Sequence, residues 1–197
     1  MLAELEGLIS GWEQLPVVAS RRLLLKARLL RAWVLIDEGR PAEAEPEAEA
    51  VVQALMRTMY VTDVWELELS ALVCMRDVLY ALGRHEEAET IARGHLPRAE
   101  GHLAAGLQVL LLRSLSGQGR HEEALALAES GRPCAEPSPA DAGAHELATA
   151  LALHGLGRHD AAREEARRAL TACERHLHPR HARVGEIREL LALVAPA

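Results

Sequence analysis

The chain has 197 residues, of which 49% are apolar and 26% charged, and a formal net charge of −7. A body of this size buries about 70% of its unfolded surface, so it needs neither disulfides nor a metal to fold. Its acidic balance disfavours general binding to nucleic acid or anionic membrane, each of which needs a dominant basic face.

Aromatic residues are 3% of the chain and phenylalanine is absent, so the core must be built from Leu, Ala and Val. Leu, Ala, Glu and Arg favour helix, and runs of alternating β-branched residues are nearly lacking, which makes the chain all-α. Cys74, Cys134 and Cys173 are odd in number and show no CxxC spacing, so neither a disulfide framework nor a zinc knuckle is indicated. Met1-Leu2-Ala3-Glu4-Leu5-Glu6 is acidic where a secretory leader is basic. The most apolar run, 23–36, is interrupted by Lys26, Arg28 and Arg31 and is too short to span a bilayer. A cytoplasmic protein is expected.

In chain order, Leu2, Leu5, Ile9, Trp12 and Leu15 fall three or four apart and predict an amphipathic helix over 2–15, ended by Pro16. A second helix is expected from Ser20 as N-cap to Glu38, stopped by Gly39. Pro41 opens the next, where a missing N–H costs nothing, and Glu43 and Glu45 suit its dipole; it should run to about 58. Helix resumes over 63–82, turns at Gly83-Arg84 and continues to about 97. A third pair covers 100–130 with its turn at Gly119-Arg120. Three prolines between 131 and 139 mark a loop. The fourth pair takes 140–156 and 159–177, and a last helix over 182–194 caps the array.

Four glycines organise this succession. Leu stands four positions before each (Leu35, Leu79, Leu115, Leu153), Arg directly after (Arg40, Arg84, Arg120, Arg158), and Ala five and nine positions on (Ala44 and Ala48, Ala88 and Ala92, Ala124 and Ala128, Ala162 and Ala166). Each interval between glycines holds one helical hairpin. Glycine reaches the backbone angles of a tight corner, and alanines four apart on the second helix let the upstream Leu pack close.

These residues resemble the tetratricopeptide repeat, a helix–turn–helix unit that stacks into a superhelix. The final stretch from Ala169 to His181 is similar to kinesin-light-chain-like repeats, the likeness being carried by Leu177, Pro179 and His181. The resemblance implies an all-α solenoid of about four repeats (20–58, 63–97, 100–130, 140–177) with end helices, forming a single domain over 1–197. Alanine at 48, 92, 128 and 166 stands where many members carry an aromatic, which implies tight hairpins. Arg28, Arg31, Glu146 and Thr149 are polar residues on faces expected to turn inward.

In that family the first helices line a concave groove. Transferred here, the partner-binding face comprises Trp33, Ile36, Asp77, Tyr80, Arg113, Ser116, Leu151 and His154. Their mixture of aromatic, aliphatic and charged groups suits recognition of a protein or peptide more than a solvated face. His176, His178 and His181, with Glu174, match no zinc spacing, so no metal is assigned; His181 is a repeat residue, and His178-Pro179 a turn. His85, His121 and His159 follow the corner arginines and are expected to face solvent. The basic clusters Arg21, Arg22, Lys26, Arg28, Arg31 and Arg163, Arg167, Arg168, Arg175, Arg180, Arg183 offer docking for an acidic partner, but solvated faces held by neighbouring Glu are the favoured reading. No phosphate loop, nucleophile elbow or catalytic triad is present, and no cofactor is expected. The leading expectation is an interaction scaffold. The alternatives are a sensing arm of a bacterial transcription-regulatory system, without DNA-reading helix, and a helical enzyme or metal-dependent accessory protein.

Overall fold

The computed structural model describes residues 2–13, 18–56, 65–131 and 139–195. Among these residues the regular structure is helical throughout, and the chain divides into two compact units, Met1–Leu82 and Gly83–Ala197. An all-α helical-hairpin solenoid is therefore the architecture.

The first unit holds α1 (Leu2–Glu13), α2 (Val18–Asp37), α3 (Pro41–Met56) and α4 (Trp65–Ala81). The helix α2 starts ahead of Ser20, which lies inside it and is not its N-cap. Residues 14–17 and 57–64, where Pro16 and the expected break near Tyr60 fall, lie outside the described residues. Pro46 is inside α3, one turn past its start, where it withholds the N–H that would meet the Ala42 carbonyl, and the helix nevertheless continues to Met56. The core is aliphatic and small. Leu29, Ala32 and Leu35 of α2 meet Ala44, Ala48, Val51 and Leu55 of α3 and Ala71, Cys74 and Val78 of α4. Alanines 44 and 48 are wholly buried, which lets the α2 and α3 backbones approach as the spacing predicts.

The two inward arginines of α2 are explained by one acid. Arg28 donates to Glu47 at 3.1 Å and Arg31 donates to the other oxygen of the same carboxylate at 2.8 Å, while Arg31 also reaches Glu6 of α1. A charged residue on an inward face is tolerated when its counterion comes from the helix it packs on.

The second unit holds α5 (His85–His95), a 3-10 turn at Leu96–Arg98, α6 (Gly101–Gly117), α7 (His121–Ser130), a 3-10 turn at Pro139–Asp141, α8 (Ala144–Gly155), α9 (His159–His176) and α10 (Ala182–Leu193). Most of the proline-rich loop, 132–138, lies outside the described residues. The helix expected from 140 begins instead at Ala144. Gly143 has φ of +71° and presses on the Ala169 carbonyl and Cys173 Sγ, so a tight turn held by α9 replaces the first helical turn. Toward the end of this unit Leu147, Ala150 and Leu153 of α8, Ala162, Ala166, Ala169 and Cys173 of α9, and Val184, Ile187 and Leu190 of α10 share one core. Thr149, the polar residue expected inward on α8, turns its hydroxyl back to the His145 carbonyl at 2.9 Å.

Candidate interaction surface

The corners that orient the first helices are built alike. Gly39, Gly83, Gly119 and Gly157 all have φ between +72° and +75°. At three of them the glycine N–H and the following arginine N–H both return to the preceding helix. Arg40 donates to Leu35 at 2.8 Å, Arg120 to Leu115 at 2.9 Å and Arg158 to Leu153 at 2.9 Å. The recurring leucine thus has two duties, a buried side chain and the carbonyl that closes the helix. The arginine side chain does a third thing. Arg40, Arg84 and Arg120 each reach the Glu three residues on, Glu43, Glu87 and Glu123. Arg158 has alanine there.

Two histidines expected to face solvent do not. The His85 ring lies 2.6 Å from where a Cβ on Gly117 would stand, and the His121 ring 2.3 Å from that of Gly155. Each ring of one second helix is therefore pressed flat on a bare stretch of the next first helix. His159 is exposed, and its Nδ1 lies 3.4 Å from Nδ1 of His154. Burial, and then the nearby Arg113 charge, push the His85 imidazole below its ordinary value. A polar junction adds to the ring contact. Glu89 accepts from Gln118, Arg93 and Arg120, each at 2.7 Å. Burial raises the Glu89 carboxyl, but the bonds from Gln118 and Arg93 and the charge of Arg120 prevail and hold it below the carboxylate range. A polar recess of about 300 Å³ lies beside this junction, lined by Gly83, Arg84, His85, Glu86, Glu87 and Gln118.

The eight expected partner-binding residues share one property: all are half-buried, none fully covered and none freely exposed. Trp33 and Ile36 of α2 pack against the core of the first unit, which also carries Asp77 and Tyr80 on α4. Arg113 and Ser116 of α6 and Leu151 and His154 of α8 belong to the second unit, with Leu151 against its core. One residue that sequence reasoning missed stands beside them. Glu186 of α10 forms an ion pair with Arg113 of α6, although α8 packs against both helices. No glycine corner follows α10, so repeat spacing could not flag Glu186.

The histidines at the end of the chain are explained by the backbone. His178 Nδ1 accepts the Arg180 N–H at 3.2 Å, and His181 Nδ1 accepts the Arg183 N–H at 3.1 Å, the latter capping α10. Among the described residues no group of three or more His, Cys, Asp or Glu is placed to hold a metal, and no helix is long and apolar enough to cross a membrane. Of the clustered arginines, Arg163 pairs with Asp160 and donates to the Val194 carbonyl, while Arg168 pairs with Glu164 and Glu165.

Stacked helical hairpins with repeated corners and variable first-helix faces define a helical repeat protein of the interaction type. The tetratricopeptide repeat model matches residues 25–50, 77–93, 105–130 and 143–168, and across these repeats the chain belongs to the tetratricopeptide repeat family. A general role in protein–protein interaction comes with that module. Comparison with curated proteins and with solved structures gives no match.

Proposed function

We propose that the protein is a scaffold whose first-helix faces bind a segment of a partner protein, through Trp33, Ile36, Asp77 and Tyr80 in the first unit and Arg113, Ser116, Leu151 and His154 in the second. The observation that carries this reading is the uniform half-burial of these eight residues together with their chemical variety. A core position would be apolar and covered, and a solvated face would be charged and free; these are neither. The Arg113–Glu186 pair adds support. Two interaxial steps of about 8–10 Å each on a flat array would exceed the reach of two side chains, so a bond from α6 to α10 favours an inward bow of that face.

The same reading takes the last repeat as kinesin-light-chain-like, on the strength of the His181 cap and of Leu177 packed against the core. It places the protein in the cytoplasm, on the odd number and wide spacing of its cysteines. The test is affinity capture from native cells with the wild-type chain and with Asp77→Arg and Arg113→Glu variants of unchanged circular dichroism. Loss of the same captured protein from both variants is expected. Capture unchanged by either would refute the assignment of this face.

A further inference from the structure

His154 and His159 flank the last corner, three positions before Gly157 and two after it. At the earlier corners these positions hold Ile36 and Pro41, Tyr80 and His85, and Ser116 and His121, so two imidazoles meet only at the fourth. Packing explains why this pair comes together. His85 and His121 are pressed on Gly117 and Gly155 of the first helix that follows them. After α9 comes α10, and nothing lies within 4 Å of the Cβ position of its one glycine, Gly185. The His159 ring therefore stands exposed and meets its own corner instead.

The two Nδ1 atoms are 3.4 Å apart, with ring centres at 5.3 Å and ring planes tilted by 49°. As a hydrogen bond the contact is poor, being long and requiring opposite tautomers, one ring donating from Nδ1 and the other accepting there. As a chelating bite it is good. Two imidazoles on one tetrahedral ion, with metal–nitrogen bonds of about 2.0–2.1 Å, hold their nitrogens about 3.3–3.4 Å apart. Rings aimed head-on at that separation would set their centres about 5.7 Å apart, and rings converging on one such ion about 5.2 Å. The spacing of 5.3 Å lies with convergence.

The backbone holds this arrangement in place. The Gly157 N–H donates to the His154 carbonyl and the Arg158 N–H to the Leu153 carbonyl, each at 2.9 Å, so an arriving ion has little left to order. Among the described residues neither ring has another hydrogen-bond partner, whereas His178 and His181 spend Nδ1 on backbone N–H groups. His154 is half-buried and His159 exposed, which leaves the pair open to solvent.

We infer that His154 and His159 form a two-imidazole site for a divalent transition-metal ion, bound through both Nδ1 atoms, with zinc the ion whose tetrahedral geometry the spacing fits. Among the described residues no third His, Cys, Asp or Glu joins them, so the remaining coordination positions go to water or to a donor from a bound segment. The site does not rest on the partner-binding face, although His154 belongs to both. An ion there ties the end of α8 to the start of α9 and stabilises the last hairpin by mass action.

The experiment titrates zinc chloride into the untagged full chain, stripped of metal beforehand, and reads calorimetry and melting midpoints in parallel. The wild type should take up one zinc at this site and melt higher with zinc than without it. His159→Ala and His154→Gln, the second keeping bulk at the half-buried position, should each bind zinc at least about tenfold more weakly, since a direct ligand matters no less than the outer partners whose loss costs that much. Melting without zinc checks that both variants fold. His176→Ala, an exposed histidine at the end of α9, should bind as the wild type does. Zinc uptake that survives both corner substitutions, that is lost in only one of them, or that falls equally in His176→Ala overturns the site. So does a wild-type chain that takes up no zinc.

Discussion

The imidazole of His121 occupies the space into which a Cβ on Gly155 would project, with ring atoms 2.3 to 2.4 Å from that point. Gly155 is the last residue of α8 and has no positive φ, so its backbone would accept alanine. In an open helix Gly→Ala stabilises by up to about 1 kcal/mol. Here the ring must leave its rotamer or the helices must part, which costs about 1–3 kcal/mol. Gly155→Ala should therefore lower the melting midpoint in the wild-type background, yet be neutral or stabilising in His121→Ala. Equal effects in the two backgrounds would show that the ring and the glycine are not coupled.

The corner glycines offer a second contrast. Gly119 has φ of +75°, where an L side chain costs about 1–2 kcal/mol, whereas Gly94 lies within α5 with nothing near its Cβ position. Gly119→Ala should destabilise by about 1 kcal/mol or more, and Gly94→Ala should stabilise by about 0.4–1 kcal/mol. The same substitution thus takes opposite signs at two solvent-facing glycines. Chemical denaturation of both variants reads the difference directly.

The alanines after each corner set the closeness of the hairpins. Ala124 is fully buried on α7, as are its counterparts Ala88 and Ala162. Ala124→Phe should overpack the hairpin and cost about 1–3 kcal/mol. An unchanged denaturation midpoint would mean that α6 and α7 have room to spare.

Much of this was legible in the sequence because the repeated positions each obey a local rule. A glycine forced to positive φ, a leucine four residues before it and alanines four apart are backbone and packing requirements that recur wherever the hairpin recurs. The residues that join one hairpin to the next were not legible. Gly117 and Gly155 sit two positions before the corner and look like loose helix ends; only their distance to His85 and His121 shows them as contact surfaces. Glu186 was hidden for a similar reason, since its partner lies 73 residues away on a helix outside its own hairpin. Ser20 failed as a cap because helix begins two residues earlier, at Val18. The half-burial of Trp33, Tyr80, Leu151 and their companions follows from how helices stack, which a single repeat does not encode.

In the first unit Glu47 holds both inward arginines of α2 and is itself only 14% exposed. Glu47→Gln removes the charge that compensates Arg28 and Arg31 while keeping the shape. Because the group is part-buried, the expected cost is about 1–2 kcal/mol, between that of a surface pair and that of a buried one. Arg31 keeps its bond to Glu6 while Arg28 loses the one to Glu47, so adding Arg28→Met to the Glu47→Gln variant should restore part of the loss. Urea denaturation of the wild type, the single variant and the double variant measures it, and no recovery would place the cost elsewhere than in the Arg28–Glu47 bond.

Acid should loosen the second unit in two stages. His85 is depressed below its ordinary 6.5 by burial and by Arg113, so the unfolded chain takes up the proton first. Its contribution is fully present above about pH 6.5 and is lost as pH falls from there through the lower folded value. Glu89, held below its ordinary 4.5 by Gln118, Arg93 and Arg120, acts later in the same direction: stability is present above 4.5 and is lost as pH falls through the folded value. His85→Ala should flatten the first stage and leave the second, and Glu89→Gln the reverse, in melting midpoints recorded from about pH 8 to about pH 3. A first stage that survives His85→Ala would show that it does not arise from the His85 imidazole.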